Sequence, residues 1–468
     1  MKIKRFVKIF AFIVTILFLC FLFFILTVNR LLLSTLKGDE DNFNKNYKLL
    51  SCYVGSIDLY KLTPEFLDGS YLVLLQNSNE IRPSGGFMGS YARVKFKNGV
   101  LEEWSIRDIY TPDGQIKGYV ENKLPLQQAF HSGTWRLANS NWEIDFPKAS
   151  RDIIWFFNKA GEKDIKGVIA LDLEFIRRWI EILGEVKPQE YPETLNHENF
   201  YLITQSYSED EFFPGSHLKK NYLSGVGSAL LSSTLKSGFI KKVKILILLH
   251  DQLEKGHILV WVKDEKLSKT IKDLNWDGGL DNLGDYDLFY SVESNLGANK
   301  TNICITRKIN QEVSTNGNVE NKTVIFFYND TDECRNHASD DWIGNYVNYQ
   351  RILIPLNSNL ISVKVGEEYF TMGSERDIND LPEIENDTNY FIDDKENYKE
   401  VSFWVIVPEN KSNTIEIIYK IPKKHENTYS VYVKRQPGIY QIPYRLSVNG
   451  KMVVDTTLIK DRLFKVKL

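Results

Sequence analysis

The sequence YLVLLQNSNEIRPSGGFMGSYARVKF, from Tyr71 to Phe96, decides how the rest of the chain is organised. It opens on an apolar run, Tyr71 to Leu75, and ends on a second run with strand character. Between them lie a polar segment and a Pro83-Ser84-Gly85-Gly86 turn, where a plain hairpin needs only two turn residues. The stretch therefore predicts two strands joined by an elaborate polar loop, which is the first candidate for a binding site.

The residues of this loop and of the strands after it supply the candidates for ligand binding. They are Asn77, Asn79, Glu80, Arg82, Gly85, Gly86, Arg93, Arg107 and Asp108. The asparagines and Glu80 could instead satisfy backbone groups at a wide turn, and the glycines could simply allow positive φ. Arg93 alternates with apolar neighbours in a predicted strand, so a solvent-facing position suits it as well as ligand contact. The sequence assigns no residue a catalytic role.

The composition limits the domain number and the partners. A chain of 468 residues is too long for a single core, so a membrane segment and two or three domains are expected. The net charge of -3 argues against nucleic acid as a partner. No GxSxG, Walker or GxGxxG motif follows a predicted strand, and no HExxH pair occurs, so neither a cofactor nor a metal is expected.

An apolar run from Ile9 to Val28 is long enough to cross the roughly 30 Å hydrocarbon layer as a helix. Basic residues precede it and acidic residues soon follow it, so the positive-inside rule places residues 1–8 in the cytoplasm. A cleaved signal peptide is the alternative, but no small-residue cleavage site follows the run. The sequence predicts a single-pass protein of the cell membrane, with the bilayer as a partner, residues 29–50 as a tether and the bulk of the chain extracytoplasmic.

Residues 51–276 carry the pattern of a layered α/β or α+β domain. After the strand meander come a helix that Asp145 would cap, a short strand from Val168 to Leu171, and a helix that Asp172 would cap. Residues 110–141 lose periodicity and gain proline and glycine, so a long surface excursion is expected there.

The composition and the residue pattern of the sequence change after this domain. Residues 277–288 are rich in Asp and Gly and predict a solvated linker. The aspartates could instead hold calcium, but they lack EF-hand spacing, which favours the linker. Residues 289–468 contain short strand-like runs separated by turn signals such as Asn316-Gly317, which predicts an all-β, immunoglobulin-like sandwich. Cys304 and Cys334 lie in this region and could pair, and the sequence leaves that open.

Several motifs along the chain carry a family resemblance. They are the Asn77, Glu80, Arg82, Pro83, Gly85, Gly86 arrangement, the segment from Asn141 to Pro147, the strand from Gly167 to Asp172, the segment from Ser294 to Lys300, the run from Arg351 to Pro355, the Phe403-Trp404-Val405 triplet, and Arg435-Gln436-Pro437-Gly438. Together these motifs resemble the bacterial domain-of-unknown-function family DUF4012. The resemblance covers nearly all of the chain after residue 50. It implies a bacterial envelope protein without an established activity.

More distantly, the order of elements up to Gly184-Glu185-Val186 is similar to the LytR-CpsA-Psr wall-polymer ligases. These anchored proteins transfer a glycopolymer from a polyprenyl pyrophosphate to the cell wall. By that resemblance Arg82, Arg93 and Arg107 would grip the pyrophosphate. An acidic residue, Glu80 or Asp108, would act as base or Mg²⁺ ligand. The chain lacks the Arg-x-Asp-Thr signature of those ligases.

Two functional hypotheses follow from the sequence. The favoured one is a noncatalytic envelope protein that binds or organises a cell-wall or surface glycopolymer, or another membrane protein. The alternative is a phosphotransferase that acts on a polyprenyl-pyrophosphate-linked glycopolymer with Mg²⁺. Convergence of Arg82, Arg93 and Arg107 in one cleft beside an acidic group would favour the enzyme, and divergence would count against it. Nothing in the sequence indicates an oligomeric state.

Overall fold

The computed structural model describes residues 23–54 without 25, 63–209, 218–336 without 282, 284 and 285, 338–373, 382–422 and 427–468. The predicted membrane span from Ile9 to Val28 falls largely outside these residues, so it stays a prediction. None of the helices in the described part combines the length and the apolar character that a bilayer crossing demands.

The segment predicted as a tether, residues 29–50, is helical instead. Residues 26–37 form one helix, and α1 (Glu40–Val54) follows it after a short break. Phe43 of α1 is only 2% exposed and packs its ring against Gly99 in the turn after the second strand. The charged, Asn-rich composition indicated a loose connection, but the apolar face of this helix docks on the first domain.

The first domain is built on a five-stranded sheet. Its strands are β1 (Gly69–Asn77), β2 (Phe87–Lys97), β3 (Val100–Asp108), β4 (Ile165–Leu171) and β5 (Ile258–Val262). They lie in the order β3-β2-β1-β4-β5, with β1 and β4 parallel and the other neighbours antiparallel. The predicted meander is thus confirmed as β1-β2-β3, and the predicted short strand is confirmed as part of β4.

Helices cover both faces of this sheet. The longer ones are α2 (Phe146–Lys159), α3 (Leu173–Leu183), α4 (Phe200–Glu209), α5 (Leu218–Lys236), α6 (Phe239–Glu254) and α7 (Glu265–Asp273). The short helical segments of this domain are Thr63–Phe66, Tyr110–Asp113, Leu124–Phe130 and Leu137–Asn139. Four more, Thr301–Cys304, Thr331–Cys334, Asp340–Trp342 and Ile384–Asn386, lie in the strand-rich part of the chain that follows it. The predicted caps are confirmed, because Asp145 accepts the N–H of Lys148 and Asp172 accepts that of Phe175.

Residues 110–141 are packed into the domain, so the prediction of a surface excursion is wrong. Leu126 and Leu137 are buried in the main core of the domain. The N–H of Leu137 donates to Asp113 Oδ1 at 2.8 Å, which satisfies a buried backbone group. The proline and glycine residues indicated an irregular backbone. The leucines between them are buried in the core, so this backbone packs against the domain.

The described residues of the connection between the domains, 277–281, 283 and 286–288, include packed side chains, so this segment is not the solvated linker that was predicted. Leu280 and Leu283 are buried in one cluster with Ile144 of the first domain and Leu353 of the second. The acidic and glycine-rich composition suggested exposure, but the two leucines fix this segment between the domains.

The second domain consists of strands. They are β6 (Asp287–Val292), β7 (Ile305–Ser314), β8 (Val319–Asn329), β9 (Tyr346–Pro355), β10 (Asn359–Val365), β11 (Glu368–Tyr369), β12 (Thr371–Met372), β13 (Asn389–Asp394), β14 (Tyr398–Val407), β15 (Ser412–Ile421), β16 (Thr428–Lys434), β17 (Ile442–Val448), β18 (Lys451–Leu458) and β19 (Arg462–Lys467). One sheet has the order β11-β10-β15-β8-β7-β17-β18, and the other β12-β13-β14-β9-β6-β16-β19.

The two sheets share one apolar core. Phe327 and Ile415 of the first sheet lie in it together with Phe403 and Val431 of the second. The prediction of an α/β region followed by a sheet-rich region is confirmed, and its immunoglobulin-like detail stays a prediction. Cys304 and Cys334, whose pairing the sequence left open, form a disulfide.

Three buried arginines join the domains. Arg82 of the first domain donates to the backbone carbonyl of Asn295 in the second. In the opposite direction, Arg351 donates to the carbonyl of Trp142 at 2.9 Å and lies 4.5 Å from the centre of its ring. Arg435 likewise donates to a backbone carbonyl of the first domain. Separation of the domains would leave these buried polar groups without partners, which is costly.

The segment that carries Arg435 is held by a carboxylate. Asp461 accepts Lys434 Nζ at 2.7 Å and the backbone N–H of Arg435 at 2.9 Å. Burial by itself would raise the pKa of Asp461, but the Lys434 charge and these hydrogen bonds hold that pKa below its ordinary value. The stability that Asp461 contributes should therefore depend on pH.

We expect Asp461→Asn to lower the midpoint of chemical unfolding at neutral pH more than Asp455→Asn does. The control carboxylate pairs with Arg445 at the exposed surface. A carboxyl with a depressed folded-state pKa stabilises the fold above its unfolded pKa of about 3.9 and loses that contribution as the pH falls through the folded value. The gap between the variants should therefore close in acid. Equal midpoints at neutral pH would contradict this account.

Candidate functional site

An apolar cavity of about 490 Å³ lies between the five-stranded sheet and helices α3, α4 and α5. Its size falls within the range of about 300 to 1,000 Å³ that ligand pockets occupy. The apolar lining includes Val73, Ala92, Trp104 and Ile106 from the sheet and Val226 and Leu230 from α5. The cavity therefore has the size of a ligand pocket and a mainly apolar lining.

Strand alternation and small side chains explain why the cavity exists. On β2, Ser90, Ala92 and Val94 face the cavity, whereas Tyr91 faces α2 and packs on Phe157 at 4.7 Å between ring centroids. Because the side chains on the cavity face are small, helices α3 to α5 cannot fill the space above this strand. The larger side chains of the same strand fill the opposite side of the sheet.

The polar lining residues lie together at one end of the strands of the sheet. Gln76 and Asn77 end β1, and Asp172 follows β4. Ser90, at the start of β2, is paired in register with Asp108 at the end of β3. Since β1 and β4 are parallel and β2 runs the opposite way, all these residues meet at the carboxyl ends of β1, β3 and β4. The cavity thus has an apolar body and a polar end.

The second domain closes this polar end. Ala298 and Lys300, in the loop after β6, line the cavity. The N–H of Asn302 donates to the carbonyl of Asn79 at 3.2 Å, and the N–H of Lys300 donates to that of Trp342 at 2.6 Å. Trp342 packs against the buried cluster that contains the disulfide. The disulfide region therefore supports one wall of the cavity.

Asn77 and Glu80 line the cavity, as a binding role requires, but Arg82 lies behind them. The Arg82 side chain is 2% exposed, and its Nη2 lies 3.1 Å from Glu80 Oε1. Burial lowers the pKa of Arg82, and the charge of Glu80 opposes that shift. Arg82 therefore fixes the position of Glu80 from inside the protein and is not among the described lining residues.

Tyr110 and Asp108 form a unit next to Glu80. Asp108 is buried, and its Oδ1 accepts the N–H of Tyr110 at 2.8 Å, which holds the Tyr110 ring in the cavity wall. Burial, with the charges of Glu80 and Asp108 nearby, raises the pKa of Tyr110 to about 12. The Tyr110 hydroxyl is therefore neutral near pH 7. Asp108, predicted as a base or metal ligand, orients this side chain.

Ser90 is the polar side chain of the cavity wall that points most directly to a ligand. It is only 3% exposed, and within the described residues its hydroxyl has no hydrogen-bond partner. Gln76, by contrast, donates to Ser84 Oγ at 2.7 Å. A buried hydroxyl without a partner is uncommon because its desolvation is not compensated. A ligand or a water at the polar end would supply the missing hydrogen bond.

Gly85, in the turn of the polar loop, lies at the contact between the domains. Gly85 has a φ of 127°, and its neighbours include Pro437 and Gly438 of the second domain. The side chain of Gln436 donates to the carbonyl of Arg82 at 3.1 Å. Asn79 and Gly85, predicted as ligand-binding residues, therefore lie at the contact between the domains and are not among the described lining residues. Gly86 is not among them either, and it packs within the first domain, where its carbonyl accepts Asn141 Nδ2 at 2.9 Å.

Arg93 and Arg107 lie on the other face of the sheet, away from the cavity. Arg93 Nη1 is 2.7 Å from Glu162 Oε2, and Arg107 Nη1 is 3.0 Å from Glu162 Oε1. The Tyr91 hydroxyl donates to the same carboxylate at 2.7 Å. The cleft of three arginines expected for a pyrophosphate is not formed, because Arg82 is buried elsewhere. Among the described residues, no group of three or more His, Cys, Asp and Glu side chains could hold a metal ion.

Sequence reasoning missed the pair of Asp172 and His257. The two side chains are buried, and His257 Nδ1 lies 2.5 Å from Asp172 Oδ2. Asp172 was predicted as a helix cap, which it is. The signal was present, because Asp172 directly follows β4 and His257 directly precedes β5, and these strands are antiparallel neighbours. A pairing of the predicted strands would have brought the two residues together.

Comparison with known families finds a match within the first domain. Residues 68–207, from the start of β1 to near the end of α4, match the model of a family described as protein of unknown function, DUF4012. The match includes the polar loop and the sheet face of the cavity, and it confirms the resemblance for this part of the chain. The comparison with curated proteins finds no match.

Substitution of Gly438 tests the contact between the domains that positions the polar loop. A Cβ at Gly438, where φ is 84°, would overlap the carbonyl oxygen of Gly85. Gly450 has a similar φ of 77°, but nothing lies within 4 Å of a Cβ built there. We expect Gly450→Ala to cost about 1–2 kcal/mol from backbone strain. The overlap should make Gly438→Ala about 1–3 kcal/mol worse. Thermal unfolding followed by tryptophan fluorescence measures both, and equal losses would show that the joint is not tightly packed.

Proposed function

Because residues 68–207 belong to the DUF4012 family, whose description names no activity, we propose a function from the geometry of the cavity. The protein is a membrane-anchored, extracytoplasmic binding protein of the bacterial envelope. It holds an amphiphile with a long apolar chain in the cavity and does not transform it. The single observation that carries this proposal is the apolar cavity with its polar end at the carboxyl ends of the strands.

The body of the cavity supports an apolar ligand chain. The sheet contributes Val73, Ala92 and Ile106, and the helices contribute Val226 and Leu230. Water molecules in such a space would find few polar partners, so an apolar chain that replaces them gains free energy. At about 25 cal/mol per Å² of buried apolar surface, a chain that fills the cavity would be held by several kcal/mol.

The polar end supports a head group that forms hydrogen bonds. Asn77, Ser90 and Tyr110 bring an amide and two neutral hydroxyls to the wall, and Lys300 brings a positive charge. The Ser90 hydroxyl, which lacks a partner in the described part of the chain, would be satisfied by such a head. A lipid-linked surface polymer presents this combination of chain and polar head, which connects the cavity with the polymer-binding hypothesis.

Two observations support the location. The apolar run from Ile9 to Val28, with basic residues before it, favours an anchor with the cytoplasm on its N-terminal side. The disulfide between Cys304 and Cys334 favours an oxidising compartment, because such bonds are rare in the reducing cytosol.

The placement of the arginines counts against the phosphotransferase. Transfer of a phosphoryl group needs cations beside the reacting oxygens. Arg93 and Arg107 are bound to Glu162 on the far face of the sheet, and Arg82 is bound to Glu80 and to backbone carbonyls. A binding function requires none of them at the cavity.

A cavity-filling substitution tests the proposal. We expect the full-length protein in detergent micelles to bind a fluorescent long-chain fatty acid, and a polyprenyl phosphate to displace it. Ala92→Phe, which adds a ring inside the cavity, should weaken probe binding at least about tenfold, since each lost kcal/mol costs roughly a factor of five.

Ser228→Phe is the matched control. It adds a ring to α5, the helix that carries Val226 and Leu230, but at an exposed position. We expect its affinity and its thermal midpoint to equal those of the unchanged protein. The proposal would be wrong if the unchanged protein did not bind the probe, or if Ala92→Phe and Ser228→Phe bound it equally well.

A further inference from the structure

The charged groups at the polar end of the cavity are of mixed sign. Glu80 and Asp172 bring two carboxylates to the wall, and the carboxylate of Asp172 is also bonded to His257. Lys300 brings an ammonium group, and the lining that the structure describes contains no other lysine and no arginine. Arg82, which is 2% exposed, pairs with Glu80 from inside the protein. The described lining therefore lacks the cluster of cations that suits a phosphate or a pyrophosphate.

The lining groups at this end also differ in the hydrogen bonds that they can form with a ligand. A carboxylate such as that of Glu80 only accepts hydrogen bonds, and the ammonium group of Lys300 only donates them. The Tyr110 hydroxyl, which is neutral near pH 7, can do both, as can the side-chain amide of Asn77. A ligand head in contact with this set must therefore both donate and accept hydrogen bonds.

Contacts of the backbone place these groups close together. The N–H of Phe87 donates to the carbonyl of Glu80 at 2.9 Å, so Glu80 lies beside the start of β2. Ser90 follows three residues later on that strand and is paired in register with Asp108. The carboxylate of Asp108 in turn holds Tyr110 in the cavity wall. Glu80, Ser90 and Tyr110 therefore belong to one site.

Ser90 gives a separate indication that a ligand binds at this site. Its side chain is buried, and its hydroxyl has no hydrogen-bond partner among the described residues. Buried hydroxyls in proteins are normally paired, because an unmade hydrogen bond leaves their desolvation uncompensated. The missing partner of Ser90 must itself carry a hydrogen-bonding group, and a head with several hydroxyls supplies one.

We propose that the polar end binds an uncharged sugar, so that the ligand is a glycolipid whose sugar is joined to the apolar chain without a phosphate. This inference rests on the proposed function, because it names the head of the amphiphile that the cavity holds. Sugar hydroxyls can donate to Glu80, accept from Lys300 and pair with Ser90, since each hydroxyl is both a donor and an acceptor.

Charged heads fit the same wall less well. A phosphate at neutral pH only accepts hydrogen bonds, and its negative charge would lie beside the carboxylates of Glu80 and Asp172. An ammonium head only donates hydrogen bonds and would face the positive charge of Lys300. A phosphorylated amphiphile can still enter the cavity by its chain, but with weaker affinity than a glycolipid of the same chain.

Competition between two amphiphiles with the same chain tests the identity of the head. The full-length protein in detergent micelles is loaded with the fluorescent long-chain fatty acid, and hexadecyl glucoside or hexadecyl phosphate is added. Because the chains are identical, the ratio of the two displacing concentrations reports on the heads alone. We expect the glucoside to displace the probe at a concentration at least about tenfold lower than the phosphate does, since only the glucoside satisfies both kinds of lining group.

The outcomes of this competition separate the head from the cavity. Displacement by the phosphate at an equal or lower concentration would overturn the assignment of a sugar and leave the proposed function intact. If the probe did not bind, or if neither amphiphile displaced it, the proposed function would fail and the assignment of the head would fail with it.

Ser90→Ala tests the same assignment from the side of the protein. Because the Ser90 hydroxyl has no partner within the described chain, its removal should not lower the thermal midpoint of the ligand-free protein. The affinity for hexadecyl glucoside should fall about threefold to tenfold, since one hydrogen bond to the sugar is lost. The matched control, Ser228→Ala at an exposed position of α5, should keep the affinity of the unchanged protein. Equal glucoside affinities in the two variants would also overturn the assignment.

Discussion

The insertion of one polar loop of the first domain into the second domain is the constraint on which the rest of the structure depends. Ile81 lies in the apolar core that the two sheets of the second domain share, and the next residue, Arg82, is buried and bound to carbonyls of both domains. Gln436 of the second domain donates to the carbonyl of Arg82 and to that of Glu293. Buried polar groups are tolerated only when they are paired. The two domains must therefore keep one arrangement, in which every one of these pairs is made.

This arrangement determines the shape of the candidate site. The loop begins at the carboxyl end of β1, so the contact that joins the domains also holds Asn77 and Glu80 at the end of the cavity. The second domain adds Ala298 and Lys300 to the same end. The apolar body depends on the first domain alone, where small residues of β2 leave space under helices α3 to α5. The polar head of an amphiphile would thus contact both domains, whereas its apolar chain would contact the first domain alone.

The local features of the fold could be predicted from the sequence, and the long-range pairings could not. Asp145 and Asp172 were predicted as caps because a cap is defined by the residues next to it. Arg93 and Arg107 were predicted to bind a ligand, yet they bind Glu162, which lies beyond α2 and has no fixed spacing to either of them. The Asp172–His257 pair was missed because it becomes visible only when the strands β4 and β5 are paired with each other. The burial of residues 110–141 was mispredicted because irregular composition was taken to mean exposure.

The predicted ligand-binding residues fall only partly on the cavity wall. Asn77 and Glu80 line the cavity, whereas Gly85 lies at the contact between the domains. The helices that form the other wall come from residues 173–236, outside the loop that attracted attention first. No pattern in the sequence shows that two sets of small and apolar side chains, far apart along the chain, line one cavity.

The most direct test of the central claim is native mass spectrometry of the full-length protein released from its own membrane. The account predicts a species heavier than the bare chain by the mass of one amphiphile, and loss of that species in Ala92→Phe. A protein that leaves the membrane at the bare mass of its chain, under conditions that preserve lipid adducts of other membrane proteins, would contradict it.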